Sequence, residues 1–150
     1  MARTGTLVAG GIVGAAILFG TGLWYAQQRS YYTIVTGIDS VRIGQRDFAV
    51  TGYEGTDGTT SPLKLRGCFR VDDPAAAIAA GHPAPDAVPL TTPDWIACFD
   101  EDAILADLSA GRATAIMAGE DEGDGADLYM AVYPDGRAFA WRLANEKYKE

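Results

Sequence analysis

Cys68 and Cys98, a single histidine and one dense run of acids are the residues of this chain whose types could do chemistry. The cysteines stand 30 positions apart. Metal-binding and redox thiols favour close pairs such as C-x-x-C, so the wide spacing predicts a structural disulfide and an oxidising compartment. Closing a loop of that size would stabilise a domain by roughly 3 kcal/mol. His82 heads the proline-rich stretch HPAPDAVPLTTP and reads as a solvated loop residue. Met117 and Met130 fall on expected strands and read as core. No metal site and no cofactor is expected.

The run Glu120-Asp121-Glu122-Gly123-Asp124-Gly125-Ala126-Asp127 is the densest charge cluster. Glu120, Glu122 and Asp124 before Gly125 imitate the opening of a calcium loop. The imitation fails at Ala131, the twelfth position, where a bidentate carboxylate is required. A solvated loop is expected instead. Its carboxylates, on Glu120, Asp121, Glu122, Asp124 and Asp127, would steer a basic soluble partner such as a c-type cytochrome, faster at low salt.

The patterns that announce catalysis are missing: no G-x-S-x-G, no Walker or G-x-G-x-x-G loop, no zinc spacing. No enzyme is expected. Twelve basic residues against twenty acidic ones give a net charge of −8, which excludes nucleic acid as a natural ligand.

The elements that must position these residues begin with a helix. Leu7 to Ala26 (LVAGGIVGAAILFGTGLWYA) runs for 20 residues without a charge, enough to cross the roughly 30 Å of a bilayer's apolar core. A cleaved signal peptide has a shorter apolar region, about 7–15 residues, ending at a small-x-small site. A cut after Gly22 is the one available, and Trp24-Tyr25 followed by Gln27-Gln28-Arg29 reads better as an interfacial belt and stop. The expected layout is a cytoplasmic tail (1–6), a membrane span (7–26) and a periplasmic domain (27–150). The positive-inside count does not decide orientation. Eleven basic and twenty acidic residues beyond Ala26, together with both cysteines, place the domain outside the cytoplasm. Gly10 with Gly14, Gly11 with Ala15, and Ala16 with Gly20 repeat a small-x-x-x-small spacing that lets a second helix approach closely.

The remainder predicts an α+β domain: antiparallel hairpins and two short helices. Tyr31 to Val35 is a first strand. Phe48–Tyr53 and Leu63–Phe69 flank the turn GTDGTTSP, and Asp127–Pro134 and Arg137–Leu143 flank Asp135-Gly136. Asp73-Pro74 opens one helix, ended by Gly81. Asp100 to Ala110 forms the other, with acids in its first turn and Gly111 as its stop. Cys68-Phe69 and Cys98-Phe99 each precede such a glycine by 13 positions, which suggests a repeat with the cysteines at the ends of neighbouring strands.

With its Gly-rich span, Trp24-Tyr25 and the Cys-Phe pairs at 68–69 and 98–99, the chain resembles uncharacterised single-span envelope proteins of Gram-negative bacteria. It is similar in layout to supernumerary subunits and assembly factors of respiratory or photosynthetic complexes. That likeness implies a non-catalytic accessory subunit of an inner-membrane complex, its partners being transmembrane subunits, the lipid bilayer and a basic soluble protein. Two alternatives stay open: an assembly factor or redox/metal chaperone using Cys68 and Cys98, and a sensor-like module with a pocket lined by Trp95, Trp141 and tyrosines.

Overall fold

Helix α1 spans Ala2–Tyr25 and continues through a π-helical turn, Ala26–Ser30. The computed structural model describes residues 2–149. The helix is longer at both ends than the uncharged run, because nothing between Ala2 and Thr6 stops it and Gln27, Gln28 and Arg29 favour helix. From Arg3 to Ser30 it is long and apolar enough to cross a membrane. Its apolar side chains are exposed, Phe19 to 81 % and Leu7 to 76 %. The chain divides between Tyr32 and Thr33 into two compact units.

The second unit is an antiparallel sheet with short helices. Its strands are β1 (Tyr32–Thr36), β2 (Ser40–Ile43), β3 (Arg46–Gly58), β4 (Arg66–Val71), β5 (His82–Pro83), β6 (Thr114–Gly123), β7 (Ala126–Val132) and β8 (Arg137–Ala144). They lie in the order β1-β3-β4-β8-β7-β6-β5, with β2 paired to β3. Both expected hairpins form. Val50 faces Val71 and Thr56 faces Arg66 across β3 and β4; Val132 faces Ala138 across β7 and β8. The helices are α2 (Pro74–Ala80), α3 (Glu101–Ser109) and α4 (Glu146–Lys149). Asp73 caps α2 by accepting from the Ala76 amide, and Asp100 caps α3 by accepting from Ala103, each at 3.1 Å.

Strand alternation splits the sheet into two faces. Phe48, Val50, Phe69, Val71, Ile116, Met130 and Val132 form the main core on one face, closed by Ala77 of α2 and Ile43 of β2. Arg66, Cys68, Phe139, Trp141 and Tyr129 share the other face by register. Phe99, just before α3, meets Phe139 and Trp141 edge-to-face at 6.0 and 6.4 Å, so the 84–100 connector and α3 cover this face.

Arg66 is 3 % exposed there. A guanidinium out of water must have its N–H groups bonded. Nη1 donates to the carbonyls of Leu63 (2.8 Å) and Leu65 (2.7 Å), Nε to Thr92 Oγ1 (2.9 Å) and Nη2 to Thr91 O (2.9 Å). The cation also lies 5.7 Å from the Phe99 ring centre. One side chain therefore ties the turn before β4 to the connector.

The two Cys-Phe segments do not form a structural repeat. Cys68 lies within β4, whereas Cys98 lies in a turn before α3. The glycine stops differ too. Gly111 is left-handed (φ 75°), while Gly81 has a negative φ and is required because a Cβ there would sit 2.7 Å from Ile116 Cδ1.

Replacing Arg66 with Met is expected to destabilise the fold by about 3 kcal/mol, since four acceptors, the buried Thr92 Oγ1 among them, lose a charged donor at once. Urea unfolding of the full chain in detergent, read by tryptophan emission, measures this. A loss under half a kcal/mol would show that Arg66 does not pin the connector.

Candidate functional site

A groove opens where the connector meets the edge of the sheet. Ile34, Thr36, Glu54, Gly55, Thr56, Trp95, Ile96, Ala97 and Cys98 line it, around about 310 Å³. Cys98 is one of its lining residues and is bonded to Cys68, with Cα atoms 6.2 Å apart. Cys68 is buried. The pair fastens the connector to β4 two residues from Arg66, on the same face of the strand.

The expected pocket shared by Trp95 and Trp141 does not exist. Trp141 is fully buried, stacked on Tyr129 (6.5 Å between ring centres) and met edge-on by Phe99. Trp95 alone borders the groove. The methionines separate likewise: Met130 is core, whereas Met117 is half-buried, faces His82 across β5 and β6, and lines cavities of about 380 and 490 Å³. His82 is exposed on a two-residue strand rather than in a free loop. Among the described residues no three His, Cys, Asp or Glu side chains gather as a metal site would need.

The acidic run is a hairpin, not a loop. Gly123 pairs with Ala126, leaving Asp124-Gly125 as the turn, a dipeptide that suits a tight hairpin. Asp121 adopts a left-handed backbone (φ 49°), which aspartate tolerates better than most residues. Its Oδ1 accepts from the Gly125 amide and its amide donates to Asp127 Oδ1, both at 2.9 Å. Asn145 donates to Asp127, and Lys147 pairs with Asp121 (3.1 Å) and Asp124 (2.7 Å). The Gly125 amide, then Lys147, hold the Asp121 carboxyl below its ordinary value; the two aspartates raise Lys147. Of the five candidate docking acids, Asp121, Asp124 and Asp127 are engaged within the domain, and Glu120 and Glu122 are exposed on β6.

Residues 35–150 match a family model described as a family of unknown function, DUF6446. The chain belongs to that family. No curated protein and no solved structure matches it. The match takes in the connector, both cysteines, Arg66 and the acidic hairpin, and begins after α1.

In this DUF6446 domain α3 is held to the sheet by a polar lock. Tyr133 Oη donates to Asp107 Oδ2 at 2.5 Å, and Arg112 Nε donates to Asp107 Oδ1 at 2.7 Å. Burial, then the bond to Asp107, pushes the Tyr133 hydroxyl up to about 12. The Tyr133 hydroxyl, then Arg112, holds Asp107 below its ordinary value. The buried Arg66 and the lock both escaped the sequence reading. Alternation did carry a signal for Arg66, which sits two residues before Cys68 and so shares its face of the strand.

Two outcomes are expected. Replacing both cysteines with serine costs about 3–4 kcal/mol of stability, as for any lost cross-link over a loop of this size, measured by denaturant unfolding. A much smaller cost would mean that the bond does not constrain the domain. Tyr133 favours its neutral form in the folded state. Its contribution is therefore complete below pH 10 and is lost as pH rises toward 12. Ultraviolet titration should show a tyrosine step near 12 that Tyr133→Phe abolishes; persistence of the step would refute the lock.

Proposed function

We propose that this protein is a membrane-anchored, non-catalytic accessory subunit of an inner-membrane complex, of the energy-transducing kind, with its domain on the periplasmic side. One observation carries the reading. The span Arg3–Ser30 presents exposed apolar side chains together with a stripe of small residues over which space is open. A Cβ built on Gly10, Gly11, Gly14 or Gly20 meets nothing within 4 Å. Lipid covers the large side chains, and a neighbouring helix packs on the glycines, where close backbone approach drives association in a bilayer.

The domain adds two supports. Its disulfide suits an oxidising compartment, and it holds the larger share of the negative charge, which favours encounter with a basic soluble protein at the acidic hairpin. The cross-link is a fastening between connector and sheet, with Cys68 buried and Cys98 half-buried, which favours the structural role of the cysteines over the chaperone reading.

The helix test is direct. Replacing Gly10 and Gly14 with Leu places two isobutyl groups at the crossing point and forces the backbones apart, while insertion improves slightly because Leu is favoured over Gly in lipid. The variant should resist carbonate extraction yet no longer co-purify with the membrane subunits that the wild type retains. Unchanged co-purification would remove the contact from the helix.

A further inference from the structure

We propose that the groove between β1 and the connector seats the domain on the headgroup layer of the same bilayer that holds α1. The proposal rests on the anchoring reading above. Its occupant is a zwitterionic lipid surface.

Ile34 is 72 % exposed, the most exposed large apolar side chain beyond Tyr25 among the described residues. It lies four residues past Ser30, where the membrane helix ends. At about 3.4 Å per extended residue, its backbone stays within roughly 14 Å of that end. A strongly apolar side chain held so near an interface has an apolar phase within reach.

Ile34 also shares the groove with Trp95. Indole prefers the headgroup level, where its ring sits in an apolar setting and its N–H meets water. The remaining walls are small or apolar, and Glu54 is the one charged residue among those lining the groove. A single carboxylate on an acidic domain gives anionic lipids no attraction, so neutral headgroups fit. The contact is small and would be weak for a free domain. The tether makes it intramolecular and raises its effective concentration to the millimolar range, on the order expected for short linkers.

The experiment uses the full chain in phosphatidylcholine nanodiscs carrying a spin-label quencher near the headgroup. Trp24→Phe removes the emission of the membrane helix, and Trp141 stays buried, so the quenchable emission is that of Trp95. The expected result is loss of Trp95 emission in labelled discs, its recovery in Ile34→Asp, and no quenchable emission in a Trp24→Phe, Trp95→Phe chain. Trp95 emission indifferent to the label, in a chain that resists carbonate extraction, would overturn the seating and leave the anchor standing. Extraction of the chain by carbonate would overturn both.

Discussion

A guanidinium taken out of water holds the second layer of this domain in place. The sheet has two apolar faces, one closed by α2 and β2 and the other by α3 together with a proline-rich connector that has no ladder of its own. Such a segment gains little from backbone pairing and must be fastened point by point. Arg66 supplies hydrogen bonds to Thr91 and Thr92, Cys98 a covalent bond to Cys68, and Phe99 a ring wedged against Phe139 and Trp141. All three fastenings meet β4 or its neighbour β8 on the same face, so the strand that carries the cysteine also sets the height of the connector.

The two faces consequently differ in what they can do. The α2 face carries the main apolar core, with a cavity of about 490 Å³ at its rim between Ala80, Gly44 and Ala118. The connector face is built from turns, and turns leave gaps; the groove at Ile34 and Trp95 is one of them. Loops positioned by a rigid scaffold are where binding surfaces usually lie. In this domain the scaffold is β4 and β8, and the rigidity of the loop comes from the fastenings rather than from secondary structure.

Much of the fold was legible from local chemistry. Asp73-Pro74 and Asp100 read as helix caps, and the side chains do cap. Asp135-Gly136 read as a hairpin, and Asp135 accepts from the Arg137 amide at 3.0 Å to shape it. The cysteine spacing read as a disulfide. The misreadings have separate causes: a local turn signal masked by charge, tertiary burial of amphipathic residues, and a repeat inferred from spacing alone. Charge density in the acidic run hid an Asp-Gly turn that is as good a hairpin signal as the one recognised. An arginine and a tryptophan carry polar groups that usually seek the surface, and only the connector's arrival buries Arg66 and Trp141. The Cys-Phe repeat rested on spacing alone, and Gly81 and Gly111 turned out to be glycines for different reasons. The candidate site was half visible: Trp95 and Cys98 were singled out, while Ile34 passed as an ordinary strand residue.

The proposed role joins these features into a chain of dependence. In it, small residues on the span admit a neighbouring helix, and the acidic hairpin of the fastened domain attracts a basic protein. The account's central claim is that the chain is a constituent of a larger membrane assembly. It is tested most directly by native electrophoresis of the wild-type protein solubilised from its own membranes in mild detergent, with the co-migrating subunits identified by mass spectrometry. Migration in one band with integral membrane subunits at fixed stoichiometry is the predicted result; migration as a lone small chain at every detergent strength would contradict it.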